Sequence, residues 1–246
     1  MDLKQVFNER LQEIDSYLSL LAALERQVQK GPPEIGGSPI TTQQQKILYS
    51  SVYLQLYNLV EATATWCIDA IAEAAADNAS WKPGDLESQL RREWVRTVAR
   101  THVDLNAGNR LDTAVNLCEA ILNDSPVSTW SVERGGGGNW DAYEIELISE
   151  RLGCDLQISR PVESAAKRRI RNDKNSLQLV KDFRNNLAHG TISFEECGDG
   201  VTVVDLVDIK NRTTNYLREV ISAFQRHIDN HQFIKPERRP YIGAYI

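Results

Sequence analysis

The stretch QQQKILYSSVYLQLYNLVEATATWCIDAIAEAAA, residues 43–76, constrains this chain more than any other. Its apolar residues fall on most sides of a helix, and a helix that is apolar nearly all round must be covered nearly all round. It therefore belongs in the middle of a helical bundle, with Thr41 or Thr42 as its N-cap. Glu61, Asp69 and Glu73 interrupt the run, so it does not read as a membrane span. Glu61 stands one turn from Asn58 and has two readings. It pairs with an Arg of a neighbouring helix, or it opens onto a cavity as part of a site; a buried carboxylate that does neither is costly.

The flanking segments supply the cover. Residues 2–30 place Phe7, Leu11, Ile14, Leu18, Leu21 and Val28 along one seam of an amphipathic helix, which ends at the Gly/Pro loop KGPPEIGGSP. Residues 85–103 read as a charged helix with Arg92, Arg96 and Arg100 on one stripe, either a solvated face or a track for a phosphate backbone. A short helix follows at about 111–122. The four glycines at 135–138 match neither GxGxxG nor GxxxxGK[ST] and read as a flexible hinge. Asn139 is the expected cap of a helix stopped by Gly153. The stretch from 156 to 175 reads as a basic loop carrying Lys167, Arg168, Arg169 and Arg171, followed by a helix over 175–189. TISFEECGDGVTVVDL alternates around GDG, which predicts a β-hairpin, and a last helix spans 207–230. The expectation is an all-α fold with one small hairpin before the last helix. It forms one domain over 1–246, with 106–160 as an insertion or hinge region and 232–246 as a C-terminal tail.

A formal net charge of −6 argues against coating nucleic acid through overall charge, so any RNA contact must use local basic patches. Cys67, Cys118, Cys154 and Cys197 are scattered without a CxxC pair, which suits a reducing compartment and disfavours a zinc finger. The N-terminal MDLKQVFNERLQEIDSY is amphipathic and charged, unlike a signal peptide. A cytoplasmic location is expected.

Candidate chemistry lies with few residues. His227 and His231 are four apart with Asp229 between them, a weak metal-ligand spacing: Ile228 stands where an HExxH motif would need Glu, and no third ligand is apparent. No GxSxG occurs. The stretch KDFRNNLAHG at 181–190 remains. Val180, Phe183 and Leu187 mark the buried side of its helix. Arg184 and His189, five apart, diverge by about 140° on an ideal helix. An Arg fork that grips phosphate and a His that moves a proton suffice for metal-free phosphodiester chemistry. By spacing alone, ordinary capping and packing residues explain the pair better.

RNNLAH is an R-x4-H sequence with a polar residue directly after the Arg, and it resembles the signature of the HEPN (higher eukaryotes and prokaryotes nucleotide-binding) superfamily. LYNLVEAT at 56–63, GNWDAYEIELISERLG after the glycines and RNNLAHGTISFEE are also similar to stand-alone prokaryotic HEPN nucleases of toxin–antitoxin and antiphage loci. The resemblance implies an all-α bundle of long antiparallel helices that forms a homodimer. Its paired motifs would build a composite, metal-independent ribonuclease site needing no cofactor. Arg184 would then hold the scissile phosphate. His189 would act as general acid or base, giving a 2′,3′-cyclic phosphate, and Asn185 would orient them, with Glu61 as an added member. Lys167, Arg168, Arg169 and Arg171, or Arg92, Arg96 and Arg100, would guide RNA. An antitoxin or defence-system protein is the implied partner. Thr191 stands where relatives regulated by a nucleotidyltransferase carry Tyr, which counts against that regulation. The alternative is a non-catalytic HEPN module that binds nucleotide or RNA, or serves as a dimerising adaptor.

Overall fold

The computed structural model describes residues 2–28, 31–77, 81–128, 130–134 and 139–240; the glycine run expected to be a hinge lies outside them. The described elements are α1 (Leu3–Val28), β1 (Glu34–Ile35), β2 (Ser38–Pro39), α2 (Thr42–Ala76), α3 (Ser88–Val98), α4 (Ala107–Leu122), α5 (Ala142–Leu152), α6 (Arg160–Lys167), α7 (Ser176–Ala188), α8 (Phe194–Cys197) and α9 (Val203–Asp229). The fold is mostly helical, as expected.

α2 is the central helix. Thr41 caps it through a capping box with Gln44: Gln44 N donates to Thr41 Oγ1 at 3.2 Å, and Thr41 N donates to Gln44 Oε1 at 2.8 Å. Val52, Tyr53, Leu56, Tyr57, Val60, Ile68 and Ile71 are all buried, because α2 is covered by α1, α7, α8 and α9. Each such side chain contributes about 1.5–3 kcal/mol of burial. From α1 come Phe7, Leu11, Ile14, Leu18 and Leu21. Val28, expected to extend that seam, is exposed, and Leu24 closes it instead. α9 adds Leu206, Tyr216, Leu217, Val220, Ile221 and Phe224.

Among the described residues one small antiparallel sheet is present, but between α1 and α2 and not before the last helix. β1 and β2 pair as Glu34↔Pro39 and Ile35↔Ser38. Gly36 and Gly37 turn the chain at φ +59° and +81°, which residues other than Gly, Asn and Asp rarely adopt. The segment expected as a hairpin is helical because it holds two helix starts. In SFEE, Ser193 caps α8 through a box with Glu196; in TVVD, Thr202 caps α9 through a box with Asp205. The alternation across GDG concealed both, and α9 consequently begins four residues earlier than expected.

Other boundaries also moved. Within the expected basic loop, Pro161 in the first turn and the Lys167–Glu163 ion pair one turn apart (2.6 Å) support α6. Asp141 caps α5 in place of Asn139, accepting from Glu144 N at 3.2 Å. α4 begins at Ala107, capped by Asn106. α3 ends at Val98, and Arg100 lies beyond it at φ +50°. Asn58 is exposed on α2. Glu93 on α3 is a buried carboxylate, and it is fully met: Arg151 of α5 donates from Nη2 at 2.6 Å and from Nε at 3.3 Å. Among the described residues, no helix is long and apolar enough to cross a membrane.

Candidate active site at the end of α7

α7 begins with a capping box between Asn175 and Gln178. It lays Leu177, Val180, Phe183 and Leu187 into the core, and Phe183 packs on Tyr53 of α2 with ring centroids 4.7 Å apart. That packing fixes the rotation of α7 and sends Arg184, the next residue, over α2. There Tyr57 and Glu61, one turn apart and on one face, receive it. The Arg184 guanidinium carbon sits 4.0 Å from the Tyr57 ring centroid, and Nη2 donates to Glu61 Oε2 at 3.3 Å. Nη1 donates to Asn185 Oδ1 at 2.8 Å. Of the two readings of Glu61, the pairing with an Arg of a neighbouring helix holds, and that Arg is the motif residue itself.

A second layer ties this cluster to the start of α5. Asn185 Nδ2 donates to Asn139 Oδ1 at 2.8 Å, and Trp140 N donates to the Tyr57 hydroxyl at 3.3 Å. Lys181, one turn before Arg184, forms an ion pair with the α5 cap Asp141. Burial raises the Tyr57 phenol above its ordinary range, with the Trp140 N–H and the Arg184 charge opposing, so Tyr57 stays neutral as a platform for the cation. Sequence reasoning missed Tyr57, Asn139 and Lys181. The available signal for Tyr57 was an aromatic residue four before Glu61 on the same helix face.

His189 closes α7. Its N–H bonds Asn185 O at 2.9 Å, Gly190 N bonds Leu187 O at 3.2 Å and Thr191 N bonds Asn186 O at 2.8 Å. This Schellman arrangement requires a left-handed residue just past the cap, and Gly190 supplies it at φ +66°. The imidazole is exposed and makes no hydrogen bond or ion pair among the described residues. Within one chain, then, Arg184, Asn185 and Glu61 are brought together and His189 is not joined to them, as the angular divergence anticipates. Arg184 retains three of its five N–H donors, because the bonds to Asn185 and Glu61 occupy two, and its side chain is 27% exposed.

The basic residues are more committed than their sequence pattern implies. Lys167 pairs with Glu163, and Arg169 with Asp173 at 3.3 Å. Arg171 donates to Asp199 O at 3.2 Å beside the Phe183 ring. Arg168 has no ion pair among the described residues and lines a groove with Arg212 of α9. Arg92 is exposed, Arg96 pairs with the buried Glu93 at 3.4 Å, and Arg100 has left the helix, so the three do not form the expected stripe.

The His227, Asp229 and His231 spacing does not survive folding, because α9 ends at Asp229 and His231 lies beyond it at φ +49°. His227 is buried 6.4 Å from the Phe233 ring, and burial pushes its pKa down to about 4, with Gln232 opposing and Arg239 adding. Asp229 Oδ1 accepts from Gln225. Among the described residues, no group of three or more His, Cys, Asp or Glu side chains could hold a metal ion.

Residues 1–233 match the family model of the MAE_28990-like HEPN family. No curated protein and no solved structure matches the chain.

Proposed function

The chain belongs to the MAE_28990-like HEPN family, and from that membership we propose that it is a metal-independent endoribonuclease whose site is completed by a second copy of the chain. One observation carries the reading. Arg184 is splinted on Tyr57 and Glu61 with three of its five N–H donors unused, while His189 stands unpartnered among the described residues at the end of the same helix. A cation held in place in advance loses little freedom on meeting phosphate, and an exposed imidazole can exchange protons.

In the proposed reaction a neutral His189 takes the proton of an RNA 2′-hydroxyl. The 2′-oxygen attacks phosphorus, and Arg184 stabilises the charge that builds on the non-bridging oxygens. The bond to the 5′-oxygen breaks, that oxygen takes a proton from an imidazolium, and the products are a 2′,3′-cyclic phosphate and a 5′-hydroxyl. Asn185 holds the guanidinium from its other side, and a two-fold axis would bring one chain's His189 to its partner's Arg184. A cytoplasmic toxin or antiphage effector held in check by a partner protein is the setting this activity suits.

The test is RNA cleavage by Arg184→Ala and His189→Ala proteins with EDTA present, with fragment ends analysed for cyclic phosphate. Each variant should lose about 100-fold or more, and mixing the two should restore part of the activity through hybrid dimers. Cleavage by both variants at the wild-type rate would overturn the proposal. So would tight RNA binding by the wild type with no cleavage, which would mark a non-catalytic binding module.

A further inference from the structure

α4 is the one element of the described structure longer than a turn or two in which no residue is buried, apart from the short terminal 3-10 helix and the two β-strands. Its partly buried Thr113, Leu117 and Ala120 face inward, and α4 packs chiefly on α3. The opposite face carries Leu111 (65% exposed), Val115 (46%), Cys118 and Leu122 (81%), flanked by Ala114 and Ile121 (53%). That outward stripe is the more apolar of the two faces, the reverse of a helix at rest on its own core. Gly108, Thr113, Val115, Asn116 and Cys118 are also weak helix formers, so a 16-residue helix of this composition gains little from propensity alone.

We propose that this face of α4 is covered by α4 of a second copy of the chain, packed antiparallel across a two-fold axis. Leu111, Val115, Cys118 and Leu122 are spaced four, three and four residues apart, the seam spacing of a coiled coil, and the order reads the same in both directions. An antiparallel copy therefore stacks Leu111 on Leu122 of its mate and Val115 on Cys118 of its mate, large against large and small against small. The face offers on the order of 500 Å² of apolar surface per copy, so a pair buries about 1,000 Å², the threshold of a specific interface. Other occupants fit less well. Arg110, which donates to Leu105 O (2.9 Å) and pairs with Asp104 (3.6 Å), is the single basic residue of α4 beside Asp112 and Glu119, so the helix offers no basic rim for phosphate or an anionic membrane. This interface assigns a role to part of the 106–160 region and uses no residue of the Arg184 cluster. If the α7 ends also pair, the two axes coincide in a dimer or generate a tetramer.

Cys118 provides the test, since Cys67, Cys154 and Cys197 are buried and it alone is exposed. The full-length protein is treated with a short bismaleimide spanning about 10 Å, the separation of packed helices. Wild type should give a covalent dimer that Cys118→Ser abolishes. Leu111→Asp/Leu122→Asp should reduce the cross-link at least tenfold, speed labelling of Cys118 by a monofunctional maleimide, and lower the solution mass by one assembly step. Both positions are exposed, so the fold is expected to survive, and an unchanged thermal melt checks it. Ready labelling of wild-type Cys118 without any cross-link would overturn the proposal, as would an unchanged solution mass in the double variant. A different protein released from this face by the double variant, with the mass of the chain itself unchanged, would also overturn it. Cross-linking and mass do not depend on RNA cleavage, so failure here is distinguishable from failure of the ribonuclease reading.

Discussion

Arg184→Lys separates what the motif Arg does for the fold from what the proposed reaction asks of it at a phosphate. The substitution keeps the charge but loses the planar fork and the stack on Tyr57. The Arg184–Glu61 pair is 27% and 38% exposed on its two side chains, so it contributes about 0–1 kcal/mol, and Lys can keep part of that. The stack on Tyr57, at 4.0 Å, adds about 0.5–1 kcal/mol. A net loss of about 1 kcal/mol lowers Tm by about 2–4 °C in a chain of this size. Transition-state stabilisation behaves differently: a point-charge ammonium cannot reproduce a two-pronged grip, and losing one such donor costs about 100- to 1,000-fold in rate. Thermal melts and kcat/KM on a single-stranded RNA, measured on the same preparation, should therefore show a nearly intact fold with cleavage down by at least 100-fold. Cleavage within threefold of wild type would refute a phosphate-gripping Arg184. A fall in Tm beyond about 10 °C would refute so small a structural contribution from Arg184.

Two further outcomes follow from the packing. Gly198→Ala should lower Tm by several degrees, because an added Cβ would lie against the backbone of Lys46, with 2.7 Å to its carbonyl carbon and 2.8 Å to its Cα. Overpacking against backbone costs about 1–3 kcal/mol or more, and a melt matching wild type would contradict that close approach. Stability should also depend on pH through His227, whose pKa is pushed down to about 4 in the fold from an ordinary 6.5. Between those values the unfolded chain binds the extra proton, so this group's contribution is intact above about pH 6.5 and is lost progressively as pH falls through about 4, on the order of 3 kcal/mol in all. Melts of wild type and His227→Leu from pH 4 to 7 should show a steeper acid loss in the wild type; parallel curves would contradict it.

Much of the fold was legible in local chemistry. The all-round apolar α2 announced a central helix, the seam of α1 announced a flank, and Asn175 and Gly190 marked the ends of α7 closely. Errors arose where two local codes overlapped. The alternation around GDG at 198–200 resembled strands, while the capping pairs Ser193/Glu196 and Thr202/Asp205 favoured helix. Each box satisfies otherwise orphaned backbone N–H groups, and a hairpin there would leave those caps unused. The three-arginine stripe failed because α3 stops at Val98, which leaves Arg100 beyond the helix at φ +50°, and because Arg96 turns to the buried Glu93.

By itself the sequence determined the helical class, the central position of α2, and the pairing of an Arg with a His five residues on at a helix end. Helical periodicity and capping are local and can be read from neighbours along the chain. Only the tertiary structure decided that Arg184 lies between Tyr57, Glu61 and Asn185, that His189 stays outside that cluster, and that the apolar side of α4 faces outward. Those outcomes depend on how α7 rotates when Phe183 packs on Tyr53 and on which face of α4 meets α3. Both join residues far apart in the chain, where no local pattern records the contact.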